Sequence, residues 1–139
     1  MSAFSNFMED GIIEFFLRNN ADTYTPPATV YVALFTTSGS LANLEAGTLT
    51  GEVSTSGTAY ARQSVAFGAA VSGATSNTSD ITFPTATASW GEIQFMALMD
   101  SDVEGAGNVL MAAQLAANKT IASGDVFKFL AGEIDVTVA

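Results

Sequence analysis

The feature that most constrains the fold is a change of hydrophobic period at Pro26-Pro27. Before this point, large apolar residues recur at spacings of three and four, which is the pattern of a helix face. After it, short runs of β-branched and aromatic residues are separated by Gly, Ser and Asn, which is typical of strands joined by turns. The pattern therefore predicts one N-terminal helix followed by a mainly β structure.

The strand-like runs differ in how completely we expect them to be covered. Residues 29–36 (TVYVALFT) are apolar on both faces, as in a central strand. Residues 90–100 alternate between the two faces, and the second face also turns apolar at Met96 and Leu98. Shorter strands are predicted at 60–67, 80–83, 109–115, 126–130 and 134–138. With no alternating strand–helix units, the sequence predicts a single antiparallel β-sandwich domain, jelly-roll or Ig-like, with one N-terminal α-helix.

The length of 139 residues fits one domain. We expect residues 1–20 to form the helix, packed on the domain or on a neighbour, and residues 21–139 to form the β-sandwich domain. Residues 37–59 are rich in Gly, Ser, Thr and Ala. They predict a long connection with at most a short strand near 48–53, and a connection of this length is usually functional or mobile. We therefore predict that it reaches a neighbouring subunit.

The second half of the predicted helix carries apolar residues around nearly its whole circumference. Two interpretations follow: the helix plugs one end of its own sheet, or it also docks on another subunit. The candidate interface residues lie on this helix or carry one of the few positive charges: Phe4, Phe7, Met8, Ile12, Phe15, Phe16, Arg18 and Arg62. Arg62 is predicted on the polar face of its strand, as a surface or interface partner for a carboxylate.

The charge balance excludes two classes of partner. Four basic residues accompany fourteen acidic ones, so the formal net charge is −10. Nucleic-acid binding depends on clustered Lys and Arg that neutralise phosphates, and attraction to an anionic membrane surface has the same requirement. We therefore expect no nucleic-acid partner and no membrane partner.

The sequence contains few side chains that could act as catalytic groups. The chain has no histidine and no cysteine, so the commonest general base and every thiolate are missing. The glycines form neither a phosphate-binding loop nor a dinucleotide fingerprint, and no serine stands in a nucleophile elbow. We expect a protein that is not an enzyme and that uses no cofactor. The start of the sequence lacks the pattern of a secretory leader, so we also expect synthesis and folding in a cytoplasm.

One acidic cluster matches the first half of a calcium-binding loop. Asp100, Asp102 and Glu104 alternate with other residues and precede Gly105, but the position for the bidentate glutamate holds Met111. The flanking segments also predict strands rather than helices. The cluster is therefore interpreted as a solvated hairpin loop, with a weak Ca²⁺ or Mg²⁺ site as the alternative.

The single tryptophan also has two interpretations. Trp90 precedes Gly91 at the start of an alternating strand, where an aromatic residue commonly anchors the edge of a core. An exposed aromatic strip that binds sugars is the alternative.

Several runs of the sequence carry a resemblance to a known family. Residues 26–37 (PPATVYVALFTT), 59–70 (AYARQSVAFGAA) and 75–91 (TSNTSDITFPTATASWG) resemble short bacteriophage virion proteins of the head-decoration (cement), tail-fibre-like or minor tail type. The opening helix and the closing residues 123–138 are also similar, so the resemblance covers nearly the whole chain. Its motifs are strands and turns, and it implies no catalytic or binding residues.

The resemblance implies a virion structural protein. The first hypothesis is a capsid decoration (cement) protein that stabilises the head by bridging major capsid subunits. The alternative is a tail fibre, baseplate or minor tail protein, for which host-glycan binding is a further interpretation. The implied partners are copies of the chain itself, as a trimer, and the major capsid protein or another virion protein. The implied location is the capsid exterior or the tail, after synthesis in the host cytoplasm.

Overall fold

A computed structural model describes residues 2–21 and 24–138, and it is mainly β. The strands are β1 (Ser2–Phe4), β2 (Val30–Thr36), β3 (Gln63–Val65), β4 (Ala74–Ser76), β5 (Ile81–Thr82), β6 (Gly91–Met99), β7 (Val109–Ile121), β8 (Lys128–Phe129) and β9 (Asp135–Thr137). The helices are α1 (Asn6–Ile12), which continues as a π-helical segment (Ile13–Leu17), and the short α2 (Leu41–Glu45). Among the described residues, no helix is long and apolar enough to cross a membrane.

Five strands form the main sheet in the order β1-β7-β6-β2-β3, and each neighbouring pair is antiparallel. Two further antiparallel pairs, β4 with β9 and β5 with β8, form a second layer. This sandwich-like arrangement confirms the predicted mainly β, antiparallel fold with an N-terminal helix.

The two faces of the main sheet bury different clusters because side chains alternate along each strand. On β2, Val32 and Leu34 belong to the larger cluster, whereas Ala33 and Phe35 belong to the smaller one. The short strands and the segments beside them cover the larger face with Tyr60, Ile81, Phe83, Trp90, Phe127, Phe129 and Ile134. Helix α2 contributes Leu44 to the smaller face. The predicted coverage of β2 on both faces is therefore confirmed.

The N-terminus differs from the prediction of a helix over residues 1–20. Residues 2–4 pair with β7, and α1 begins only at Asn6. Ser5 caps the helix, because its Oγ accepts a hydrogen bond from the Met8 backbone N–H at 3.2 Å. Residues 1, 22, 23 and 139 of the predicted division into a helix and a β domain lie outside the described residues.

The connection at 37–59 also differs from its prediction. Ser40 caps α2 within it, and the chain then returns to β2, where Thr36 N donates to Gly51 O at 2.8 Å and Val53 N donates to Leu34 O at 3.1 Å. The connection therefore packs on its own sheet. The buried side chains of Leu44 and Val53 anchor it there. That the connection also reaches a neighbouring subunit stays a prediction.

Candidate interaction surface

Ser5, the N-cap residue of helix α1, fixes the helix to the first residues of β7. Ser5 is fully buried, its Oγ donates to the Val109 carbonyl oxygen, and its N–H donates to the Leu110 carbonyl oxygen at 3.0 Å. Phe4 and Met8 are half-buried and pack against the larger core cluster. These two predicted interface residues therefore face the protein's own core.

The far end of the helix is exposed. We call Ile13–Leu17 the helix tip. It contains no buried residue, and Ile13, Phe16 and Leu17 are 48%, 74% and 80% exposed. Large apolar side chains clustered on a surface commonly mark an interaction site. The helix tip is therefore the strongest candidate interaction surface on the helix.

The predicted interface residues divide along this helix. Phe7, Phe15 and Phe16 are exposed, and Ile12 is half-buried. Arg18 is exposed and pairs with Glu14 one turn earlier at 2.5 Å. Ile13 and Leu17 were not among the predicted interface residues. Both belong to the apolar residues that surround nearly the whole circumference of this half of the helix, so that pattern could have identified them.

A groove of about 1210 Å³ opens along β7 from Met111 to Ile121, and we call it the β7 groove. Met96, Leu98 and Met111 form its apolar floor, and they also belong to the larger core cluster. One wall is the outer part of β7, and the opposite wall is formed by residues 126–130 and 133–137. No described residue of the N-terminal segment 2–21 lines it.

A bulge in β7 shapes one wall of this groove. Phe95 pairs with Gln114 and Ile93 pairs with Lys119, so that residues 115–118 stand opposite a single residue of β6. A bulge bends its strand and moves side chains out of the regular alternation. Beyond Ala113 the outer edge of β7 has no partner strand in the described chain, because β1 pairs only with residues 111–113.

The structure contradicts the predicted surface position of Arg62. Its side chain is fully inaccessible, and its Nε and Nη2 donate to the two carboxylate oxygens of Glu52 at 2.7 and 2.8 Å. Its Nη1 donates to the carbonyl oxygens of Ser101 and Ala106 at 2.7 and 2.9 Å. Arg62 precedes β3, so the strand alternation that predicted an outward position does not apply to it. It joins the 37–59 connection to the β6–β7 loop and is not an exposed interface residue.

The same network changes the chemistry of Tyr60. Its hydroxyl donates to Glu52 Oε1 at 3.3 Å and accepts a hydrogen bond from the Leu34 N–H at 3.0 Å. Burial first, and the Glu52 charge second, raise the pKa of Tyr60 far above its ordinary value. Tyr60 therefore stays protonated, and it supports the core as a neutral hydrogen-bonding group.

Trp90 lies in the core, as its first interpretation predicted. It is only 4% exposed, and its Nε1 donates to the Thr58 carbonyl oxygen at 2.9 Å. The centroid of its ring lies 5.4 Å from that of Tyr60, which it meets edge-on, and 6.3 Å from that of Phe83. A buried ring cannot form the exposed aromatic strip that the sugar-binding alternative needs.

The acidic loop forms the β6–β7 hairpin connection. Asp100 accepts hydrogen bonds from the Asn108 backbone at 2.6 Å and from its side chain at 2.8 Å, and Glu104 accepts from the Thr55 N–H at 3.0 Å. Within residues 2–21 and 24–138, no group of three acidic side chains is placed to hold a metal ion. Asp100, Asp102 and Glu104 therefore do not assemble into the weak site considered from the sequence.

Comparison with known proteins agrees with the resemblance noted in the sequence. No curated protein matches the chain significantly. A family model described as Podophage GP4 fiber I protein gp80 matches residues 3–137, which is nearly the whole chain. The chain therefore belongs to the Podophage GP4 fiber I protein gp80 family and is a bacteriophage virion structural protein of the fibre type.

Proposed function

We propose that the chain is a structural subunit of a phage tail fibre, and that it assembles with copies of itself through exposed apolar surfaces. The family description, which names a fiber protein, carries the proposal. It favours the tail alternative over the capsid decoration protein that was the first hypothesis from the sequence.

The exposed surface of the protein supports an assembly role. The helix tip places Phe16 and Leu17 in water although both side chains are large and apolar. Leaving such side chains exposed loses about 1.5–3 kcal/mol each relative to burial. A partner that covers the helix tip would recover part of this free energy, and a fibre supplies partners at high local concentration.

The positions of the cations support the expectation that the chain does not bind nucleic acid. Arg62 is buried, Arg18 pairs with Glu14, and Lys128 pairs with Asp80 at 2.8 Å. Among the described residues, Lys119 is left as the cation without an ion pair. One unpaired lysine on a chain of net charge −10 cannot neutralise a run of phosphates.

The proposal assigns no catalytic step and no cofactor to the chain. The full sequence offers no imidazole and no thiol. Host-glycan binding stays a prediction, and its first candidate residue, Trp90, is buried.

Copy number in purified virions tests the proposal. Quantitative mass spectrometry, with the major capsid protein as the internal reference, is expected to give a stoichiometry like that of tail proteins. Gold-labelled antibody against the chain is expected to mark the tail in electron micrographs. A copy number of the same order as the major capsid protein, with label over the head, would refute the fibre assignment and restore the capsid decoration hypothesis.

A further inference from the structure

We propose that the helix tip of one copy docks into the β7 groove of a second copy. The inference rests on the proposed self-assembly and names the two surfaces that meet. It commits to a contact between different surfaces of identical chains, which can repeat around a closed ring or along a filament.

The two surfaces match in shape and polarity. The helix tip is a convex apolar turn, whereas the β7 groove is concave with a floor of Met96, Leu98 and Met111. The groove volume of about 1210 Å³ is sufficient for several large side chains. None of the described residues of the tip lines the groove of its own chain, so both surfaces remain free for a neighbour.

The exposed apolar area is also in the range that an interface needs. The exposed fractions of Phe7, Phe15 and the helix tip correspond to on the order of 500 Å² of apolar surface, taking about 150–250 Å² for a whole aromatic side chain. A standard protein interface buries about 800 Å² on each partner, of which about 56–58%, or roughly 450 Å², is apolar. In a closed ring each copy contributes one tip and one groove, so each copy is buried at two places.

Charge favours the groove as the receiving surface. The chain as a whole has fourteen acidic and four basic residues, whereas the groove lining has Lys119 and Lys128 with Glu133 and Asp135. The groove is therefore nearly neutral on a strongly acidic protein. Lys128 is already paired with Asp80, which leaves Lys119 available.

The helix brings the complementary charge. Glu9 and Asp10 are exposed on α1, and Glu14 is compensated by Arg18. An acidic helix therefore meets less repulsion in the β7 groove than on most of the surface, and Lys119 can pair with one of its carboxylates. Such charges guide association and fix orientation more than they add affinity.

The unpaired edge of β7 is the third argument for an occupant at this place. Ala116 and Ala117 are exposed and line the groove, beside backbone that has no partner strand in the described chain. An open sheet edge is a site at which other chains pair, and natural proteins usually cover it. A docked neighbour would shield this edge.

The test uses one variant on each surface and a matched control. Phe16→Asp changes the tip, Val126→Asp changes the groove wall, and Val103→Asp places the same substitution outside both surfaces. Val126 and Val103 are 50% and 57% exposed, so we expect all three variants to fold, as judged by the fluorescence of buried Trp90. Sedimentation is expected to show the dissociation constant for self-association raised roughly tenfold or more by the first two variants and unchanged by the control.

Mixing the two defective variants tests whether the surfaces are different. Phe16→Asp keeps an intact groove and Val126→Asp keeps an intact tip, so an equimolar mixture is expected to form a one-to-one dimer that neither variant forms alone. If the mixture stays monomeric, or if both variants associate like the unmodified chain, the tip-in-groove contact is refuted while self-assembly stands. If the unmodified chain itself stays monomeric at millimolar concentration, the proposed self-assembly fails together with the inference.

Discussion

Arg62→Met is the substitution whose effect follows most directly from the structure. The guanidinium makes four hydrogen bonds, two to Glu52 and one each to the carbonyl oxygens of Ser101 and Ala106. The side chains of Arg62 and Glu52 are 0% and 3% exposed. Methionine keeps an unbranched apolar stem but ends about two bonds earlier, so the substitution removes the charge and the donors and leaves the space of the guanidinium unfilled.

The expected loss of stability is large because the partner stays behind. Without Arg62, the buried Glu52 keeps only the Tyr60 hydroxyl and the Gly105 N–H as donors. Removing one member of a buried ion pair typically costs about 3–5 kcal/mol. Domains are usually stable by about 5–15 kcal/mol, so this is a third or more of an average value. The midpoint of thermal unfolding is expected to fall by about 10–17 °C.

Urea unfolding followed by Trp90 fluorescence measures this effect, since Trp90 is the chain's one tryptophan and is buried. Arg18→Met is the matched control, because the same substitution there removes an exposed pair between neighbouring helical turns worth about 0.3–0.5 kcal/mol. The double variant Glu52→Met with Arg62→Met is expected to be more stable than Arg62→Met alone. A loss below about 1 kcal/mol for Arg62→Met would refute the assignment of this pair as the link between the two loops.

Three further predictions concern the same part of the protein. Tyr60→Phe leaves the Leu34 N–H without its acceptor and is expected to lower the free energy of unfolding in urea by about 1–3 kcal/mol; an unchanged midpoint would contradict the bond. Gly107→Ala is expected to lower the thermal midpoint, because φ is +81° there and an added Cβ would lie 2.5 Å from a neighbouring side-chain carbon; an unchanged midpoint would show that the loop relaxes freely. Hydrogen bonds from the Thr55 hydroxyl and N–H hold the pKa of Glu104 below its ordinary 4.5. The unfolded chain therefore binds more protons, so this stabilisation is present above pH 4.5 and is lost as pH falls through the lowered pKa. Glu104→Gln is expected to flatten the acid side of the stability–pH curve, and a curve of unchanged shape would contradict the assignment.

The central strands were predictable because their patterns are local. Residues 29–36 and 90–100 predicted strands, and β2 and β6 occupy 30–36 and 91–99. Strands buried on both faces need apolar residues at nearly every position, which few other structures require. Trp90 was placed in the core for a related reason, since it begins such a strand.

The sequence misled where tertiary contacts decide the local structure. Residues 2–4 continue the helical period, yet they form β1 because β7 offers them a pairing edge. Helix α2 is short and lies in a stretch rich in small residues, and burial of Leu44 with the Ser40 cap holds it. Intrinsic propensity is a weak guide when such contacts compete with it.

Of the two candidate interaction surfaces, only the helix tip was predictable from the sequence. Apolar residues around nearly the whole circumference of the helix predicted that it plugs its own sheet or also docks on another subunit, and the structure leaves the helix tip uncovered by its own sheet. The β7 groove was not predictable, because it depends on the bulge at 115–118 and on the approach of residues 126–137 from the second layer. Arg62 was misplaced because its partner, Glu52, lies in the connection that the sequence predicted to reach a neighbouring subunit.

The most direct test of assembly through apolar surfaces is a cryo-electron microscopy reconstruction of the phage tail in which this chain is located. We expect density for the chain in a fibre, with Phe16 and Leu17 buried against a neighbouring copy along β7. Density on the head shell, or a fibre in which both side chains face solvent, would contradict the account.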